Sequence, residues 1–347
     1  MRHICIFSAM ILLSTPLLAA EADYFTRRED APEVSAMLDK KMNEELNAAA
    51  GKVKNCSVEA LRTELIKSMG GFGIAQIESW LDDNKEAKAT GIKFKKSIYQ
   101  GTMAEAPMAA LACCAPLATY KGRVFSADKL GHFLHTGFEM YVVANDRPFL
   151  DEKRAPEAPP TDFSFSANKA LIEQDAKTWK LKTRGQGATA VLEASQYQEN
   201  NLWGKMGTGV YSYADIAANY EGYRFWSDLT SGDNPYFVCE HSRWKQARKF
   251  SWDEYISDAW DESINCNEYV SSKMKMTVMA ASGEVLRKKG WPAKSCPIEP
   301  QKCRALVKRY PGALKDVIGP RCQELGLQEP TAAGSNDEGS KSAGGAR

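Results

Sequence analysis

The sequence predicts a mostly α-helical protein, with a bundle-like single domain over 21–290 and a disulfide-stapled C-terminal segment over 291–327. Apolar residues recur at helical spacing through most of the chain, and no segment shows a convincing run of the alternation that is typical of strands. The length of 347 residues suffices for one large domain or two ordinary ones. No internal repeat is visible that would indicate a solenoid.

Composition places the chain among ordinary globular proteins. Hydrophobic residues make up 44% of it and charged residues 26%. The formal net charge is only +1, so no strong field favours a polyanion. We therefore predict no nucleic-acid partner.

Residues 1–20 are predicted to be an export signal. Arg2 and His3 precede an apolar run over 4–20, which is short for a membrane-spanning helix. Cleavage is expected after Ala20 or after Ala22, and an uncleaved membrane anchor is the alternative. The mature chain is expected to be soluble, without a transmembrane segment, and periplasmic or secreted, with an unidentified envelope component as its partner.

Eight cysteines remain after removal of the signal, and an even number in an exported chain favours disulfides over thiols. Three of them, Cys296, Cys303 and Cys322, lie in the C-terminal segment, so full pairing requires a bridge from that segment to the body. Cys113 and Cys114 are adjacent, and we expect separate partners for them. The alternative, a metal cluster, is disfavoured because no Cys-x-x-Cys spacing occurs.

Helix signals and turn signals divide the chain into elements. Ser57 is predicted to cap the second helix, and Ser126 the helix that runs to residue 145. A strand or extended arm is predicted over 92–99, a loop over 146–163 and a disordered tail over 328–347. The predicted helices cover 32–52, 57–70, 77–87, 103–116, 126–145, 167–179, 188–202, 213–229, 252–260 and 266–288.

A polar stripe marks the helix after Ser126. Asp128, His132, His135 and Glu139 follow the spacing i, i+4, i+7, i+11, which places them on one side of a helix that turns about 100° per residue. The other sides are mainly apolar, so the helix is expected to be buried. His135 and Glu139 are the two members that we expect to be solvated.

A second helix repeats this pattern. Asp215, Asn219 and Gly222 have the spacing of the first three stripe residues, and the missing side chain at Gly222 permits close approach of another backbone. A buried polar stripe needs partners, and each helix offers what the other lacks. We therefore predict that the two stripes face each other.

The two helices resemble a paired motif of known proteins. Asp128-Lys129-Leu130-Gly131-His132-Phe133, followed by Asp215, Asn219 and Gly222, resembles the motif of VanZ-like proteins and of related YfiM-like bacterial envelope proteins. The resemblance covers about 30 residues. It implies that the helices pair and that the protein works at the envelope. VanZ-like proteins span membranes, whereas this chain is predicted not to, and the resemblance implies no particular reaction.

Three interpretations of the polar cluster remain open, with Asp128, His132, Asp215 and Asn219 as the candidate catalytic residues. The first is a divalent-metal site that assists hydrolysis, built from His132 with Asp128 or His135, plus Asp215. Glu193 and Glu199 are candidates for a further carboxylate ligand.

The second interpretation is metal-free hydrolysis, with His132 as the general base and Ser126 or Thr136 as the candidate nucleophile. The third is a non-catalytic binding or scaffolding protein, in which the cluster only fixes the register of the helices or the stripe from Asp128 to Glu139 is simply a solvated face. The substrate of a hydrolase would be envelope material, either lipid or cell wall.

Overall fold

The computed structural model describes residues 21–71, 74–89, 91–145, 185–201 and 204–328. Within these ranges the protein is mostly helical, as predicted, and its β structure consists of three antiparallel pairs of short strands. No described helix combines the length and apolar character needed to cross a bilayer. The predicted signal 1–20, loop 146–163 and helix 167–179 lie outside the described residues, as does the predicted tail beyond residue 328.

Three helices open the described chain, and the sequence predicts them to within about one turn. They are α1 (Ser35–Lys52), α2 (Val58–Met69) and α3 (Gln76–Asp83). Ser57 caps α2 as predicted, because its hydroxyl accepts a hydrogen bond of 3.1 Å from the backbone N–H of Ala60.

The region between α3 and the central helices was predicted wrongly. The predicted strand or extended arm 92–99 contains a 3₁₀ turn, Phe94–Lys96, and the predicted helix 103–116 shrinks to α4 (Ala109–Ala112). The alanines of this stretch favour a helix locally, but the chain is drawn into turns by its packing.

A β-hairpin leads into the centre of the fold. Its strands are β1 (Leu117–Tyr120) and β2 (Arg123–Ser126). Lys121 and Gly122 have φ angles of 49° and 77°, the positive values that a two-residue hairpin turn requires.

Two buried helices, α5 and α7, form the centre. α5 spans 128–145 and consists of the α-helical segments Asp128–Gly131 and Gly137–Asn145, joined by a π-helical turn, His132–Thr136. α7 is Tyr213–Asp228, and α6 (Ala188–Asn201) packs against both. Because most side chains of α5 and α7 are buried, their polar groups need partners inside the protein.

The two central helices touch where Gly137 faces Gly222. A Cβ atom on Gly137 would lie 2.6 Å from the Cα of Gly222, and a Cβ on Gly222 would collide with the carbonyl of Phe133. The predicted close approach at Gly222 is therefore confirmed, and it holds the two helices in the register in which their polar stripes meet.

An aromatic core covers the other side of the same helices. The ring of Phe133 lies between 4.7 and 5.3 Å, centroid to centroid, from the rings of Phe225, Trp252 and Tyr255. The predicted helix 252–260 is wrong, since this stretch forms two 3₁₀ turns, Trp252–Glu254 and Asp258–Trp260. Trp252 begins the first turn and Tyr255 directly follows it.

The remaining strands are short and were missed. β3 (Val210–Tyr211) pairs with β6 (Glu268–Tyr269), and β4 (Phe237–Glu240) pairs with β5 (Arg243–Gln246). Strands of two to four residues carry too few positions for alternation to be recognised. Because β6 occupies part of the predicted helix 266–288, α8 (Ser272–Lys288) begins six residues later than predicted.

The C-terminal segment contains two short helices, α9 (Lys302–Arg309) and α10 (Pro320–Leu327). Cys303, Leu306 and Cys322 of these helices belong to the main hydrophobic core. The segment is thus packed into the body as well as stapled to it.

All eight cysteines of the described residues are paired, as predicted. The bridge from Cys296 to Cys266 is the expected link between the C-terminal segment and the body. The prediction of separate partners for Cys113 and Cys114 is wrong, because these two cysteines are bonded to each other. The four bridges are Cys56–Cys239, Cys113–Cys114, Cys266–Cys296 and Cys303–Cys322.

Candidate functional site

The centre of the site is Lys129, whose side chain is fully buried. Its Nζ lies 2.8 Å from Asp128 Oδ2, 2.5 Å from Asp215 Oδ1 and 2.7 Å from Glu262 Oε1. The contact with Asp215 is an ion pair without hydrogen-bond geometry. Burial alone would lower the pKa of Lys129, but the three carboxylates raise it well above the usual value. Lys129 is therefore a permanent cation inside the protein.

His132 lies beside this lysine and joins α5 to α7. Its Nδ1 is 3.0 Å from Asn219 Oδ1, and its Nε2 is 3.3 Å from Asp215 Oδ2. The Asn219 amide is oriented by a hydrogen bond of 3.4 Å from its Nδ2 to Ser195 Oγ on α6. Because an amide oxygen only accepts, Nδ1 carries a proton and Nε2 faces the carboxylate.

The structure brings together all four candidate catalytic residues, Asp128, His132, Asp215 and Asn219. One potential ligand atom from each of Asp128, His132 and Asp215 lies within 4.8 Å of the other two. The sequence left open whether Asp128 or His135 completes the metal ligands His132 and Asp215, and the structure places Asp128 there. His135 is not part of the group.

His135 and Glu139 form a separate buried pair, so the expectation that they are solvated is wrong. Their exposed fractions are 8% and 3%. His135 Nε2 is 3.5 Å from Glu139 Oε1, and Gln198 of α6 donates a hydrogen bond of 3.1 Å to Glu139 Oε2. The π-helical turn explains the division of the stripe, because its wider turn shifts the positions that follow it.

Ser126 holds Asp128 but does not cap α5 as predicted, because it is the last residue of β2. Its hydroxyl donates to Asp128 Oδ1 and is 2.7 Å from the hydroxyl of Tyr24. The geometry therefore gives Ser126 a positioning contact with Asp128. Of the two carboxylates that could extend the site, Glu199 accepts from the backbone N–H of Ser212 at the start of α7, whereas Glu193 accepts from Gly185, away from the cluster.

The cluster contains more buried carboxyl groups than the sequence indicated. Burial raises the pKa of Glu262 to about 7, against an opposing effect of Lys129. Burial also raises the pKa of Glu21 and of Glu199 well above the usual value, and neighbouring carboxylates add to the effect. The pKa of Asp215, by contrast, is lowered, because His132 and Lys129 outweigh the opposing effect of its burial.

A cavity of about 280 Å³ leads to Asp128. Glu78, Asp82 and Asp83 line it, together with the Cys113–Cys114 pair. Its acidic lining favours cations over anions at this entrance.

The residues that the sequence analysis missed lacked a spacing pattern. Glu262 follows a 3₁₀ turn and Glu21 precedes the first helix, so neither belongs to a helical stripe. Lys129 had a usable signal, because a lysine on the apolar side of a buried helix needs anionic partners.

Comparison of the chain with protein-family models, with curated proteins and with solved structures finds no match.

Proposed function

We propose that the protein is an exported, metal-assisted hydrolase that acts on envelope material, and that Asp128, His132 and Asp215 hold its divalent cation. The observation that carries this proposal is the convergence of three potential ligand atoms within 4.8 Å inside the protein. Imidazole and carboxylate together suit zinc, manganese and iron.

The orientation of His132 supports a metal ligand. With its Nδ1 proton directed at Asn219, the Nε2 lone pair of a neutral imidazole points at Asp215 Oδ2, 3.3 Å away. Two electron-rich atoms repel each other unless a proton or a cation lies between them. Metal-ligating histidines commonly have their second nitrogen fixed by an acceptor, as Asn219 fixes this one.

The charges of the cluster also support a cation. Asp128, Asp215 and Glu262 carry three negative charges when ionised, and Lys129 balances one of them. A divalent ion neutralises the remaining two. Without such an ion, protons must neutralise the surplus, and the pKa of Glu262, about 7, lets that carboxyl group hold one near neutral pH.

A bound divalent cation would lower the pKa of a water and polarise the scissile group. The protein's own residues then have distinct tasks. Asn219 keeps Nε2 of His132 directed at the ligand position, Lys129 holds the carboxylates in place, and Glu262 accepts or returns a proton near neutral pH.

Titration of chelator-treated protein with Zn²⁺, Mn²⁺ and Co²⁺, followed by calorimetry, tests the metal site. We expect one equivalent to bind to the wild type, and the affinity to fall by at least about tenfold in His132→Ala and in Asn219→Ala. His135→Ala is the matched control, because His135 is equally buried and one turn away, and it should bind like the wild type. Absence of binding to the wild type would refute the proposal.

Incubation of the metal-loaded protein with lipid extracts and with purified cell wall tests the hydrolysis. We expect soluble products with wild type and with His135→Ala but not with His132→Ala. Equal release by His132→Ala would show that this centre does not perform the reaction.

One observation favours a second candidate, the non-catalytic binding or scaffolding protein. Lys129 already contacts all three carboxylates and could by itself hold the helices in register. Asp215→Asn separates the two candidates. A purely structural cluster predicts a loss of about 1–3 kcal/mol in the free energy of unfolding. An active site tolerates the change or gains stability from it.

We further propose export with cleavage after Ala20. Glu21 and Ala22 are buried, and Glu21 contributes its carbonyl to a 2.9 Å hydrogen bond from Ala115 and its carboxylate to a contact with Thr208. Cleavage after Ala22 would remove these contacts. The resemblance to VanZ-like proteins is part of the same proposal and agrees with an envelope location. The intact mass of the exported protein is expected to begin at Glu21, and a mass beginning at Asp23 or Met1 would contradict this.

A further inference from the structure

A second cavity, of about 320 Å³, is lined by Glu262, whereas the acidic entrance is lined by Asp128, and Lys129 contacts both carboxylates. Its volume falls within the range of small-molecule binding pockets. The wall is largely apolar and aromatic and comes from the N-terminal segment, the turns around residue 98 and α8. It includes Phe25, Ile98, Tyr99, Val278 and Met279.

Glu262 and Asn267 are two of the polar residues that line this cavity. The other charged residues of the lining are Glu268, Lys275 and Arg321, and the last two are exposed. Glu262 is 4% exposed, and Asn267 Nδ2 donates a hydrogen bond of 2.8 Å to its Oε2. That bond directs the amide nitrogen of Asn267 at the carboxylate. Asn267 Oδ1 is consequently left buried and without a hydrogen-bond partner among the described residues.

An unpartnered buried acceptor is costly, and it indicates the chemistry that would satisfy it. Asn267 Oδ1 and the Glu262 carboxylate both accept hydrogen bonds, and Tyr99 offers an aromatic ring in the same wall. A group that donates several hydrogen bonds and carries a positive charge matches this set.

We propose that this cavity binds a small molecule with an apolar body and a primary-amine head, with the head between Glu262 and Asn267. The site is distinct from the proposed metal site, because Asp128, His132 and Asp215 do not line the cavity. The two are joined by Lys129, which donates to Glu262 Oε1 at 2.7 Å. An ammonium group at Glu262 competes with Lys129 for that carboxylate.

Three probes with the same alkyl chain test the proposal: n-octylammonium, n-octanol and n-octanoate. Binding to the chelator-treated full-length mature protein is measured by calorimetry, so that the result does not depend on a metal. We expect n-octylammonium to bind at least about tenfold more tightly than n-octanol, and n-octanoate to bind most weakly. Equal affinities, or tighter binding of the carboxylate, would overturn the proposal.

Two variants of α8 locate the binding. Met279→Trp places a large side chain in the cavity wall. Met276→Trp is its control, because Met276 is on the same helix but outside the cavity and the residue is 65% exposed. We expect Met279→Trp to weaken n-octylammonium binding by about tenfold or more and Met276→Trp to leave it unchanged. Unchanged binding in both variants would place the amine elsewhere and overturn the proposal.

Asn267→Leu tests the recognition of the amine head group, because it removes the unpartnered acceptor Oδ1. We expect the preference for n-octylammonium over n-octanol to decrease while n-octanol still binds. If Asn267→Leu keeps the full preference, Asn267 does not recognise the head group and the proposed orientation is wrong. A matching thermal unfolding midpoint and circular dichroism spectrum confirm that each variant is folded.

Discussion

The two halves of the polar stripe on α5 contain similar residues in different electrostatic surroundings. Asp128 and His132 meet Asp215, Asn219 and the ammonium of Lys129. His135 and Glu139, one turn further, meet each other and the amide of Gln198. Both halves are buried, so burial alone does not distinguish a candidate site from a structural pair.

The difference lies in how many like charges converge. The first half gathers three carboxylates around one lysine, and the second holds one carboxylate beside one imidazole. A surplus of buried charge requires protons or cations and therefore responds to pH and to metals, whereas a balanced pair responds little. This contrast can be tested one residue at a time.

The largest effect is expected from Lys129→Met, because it leaves three buried carboxylates without their shared cation. We expect the free energy of unfolding, measured with denaturant, to fall by about 3–5 kcal/mol. Lys205→Met removes a partly exposed lysine that pairs with Glu268, and it should cost less than about 1 kcal/mol. Similar losses in the two variants would mean that the centre holds no surplus of charge.

A smaller effect is expected from pH in chelator-treated protein. The pKa of Glu262 is about 7 in the fold against 4.5 for an ordinary glutamate, so the folded form holds the proton more tightly. The resulting stability is present below pH 4.5 and is lost as the pH rises through about 7, a change of roughly 3 kcal/mol. Glu21, Glu78 and Glu199, whose pKa values are also raised, act in the same direction.

Glu262→Gln removes one titrating group. The unfolding free energy of this variant should therefore fall less steeply than that of the wild type between pH 4.5 and about 7. Parallel curves for wild type and Glu262→Gln would contradict the assignment.

The next largest effect is expected from Gly222→Ala. This variant tests whether the close contact between α5 and α7 holds their polar stripes in register. The added methyl group collides with the carbonyl of Phe133, and we expect a loss of about 1–3 kcal/mol in thermal or denaturant unfolding. Gly51→Ala, near the end of α1, meets no atom within 4 Å and should be neutral or slightly stabilising. A neutral Gly222→Ala would show that the helices can separate without cost.

The smallest effect is expected from Glu139→Gln. The amide retains the shape of the side chain and can still bond to Gln198, so we expect a loss of only about 0.5–1.5 kcal/mol. Denaturant unfolding measures this loss, and the loss in Asp215→Asn is measured in the same way for comparison. A loss as large as that of Lys129→Met would make the second half as critical as the first.

The sequence predicts the central pairing well because its signals are local and periodic. Asp128 and His132 on one helix, and Asp215 and Asn219 on the other, are each visible from their spacing, and Gly222 marks the contact. What the spacing cannot show is the effect of the π-helical turn, which separates His135 from His132. Hydrogen bonding within a helix, rather than residue type, decides that division.

The remaining errors concern residues that reach the site through tertiary packing. Glu262 and Glu21 come from irregular segments, which have no periodicity to identify a buried face. The pairing of β3 with β6 likewise depends on where the chain folds back. The Cys113–Cys114 bridge is local, and it was not predicted because a ring between neighbouring cysteines was expected to be strained. The overall helical class could be predicted because most of the core is formed by helices whose apolar faces recur regularly.

The Cys56–Cys239 bridge also determines what a protease can release. It joins the segment before α2 to β4, and 183 positions separate its two cysteines. Any single backbone cut between them therefore leaves two fragments that migrate together on an electrophoresis gel until a reductant is added.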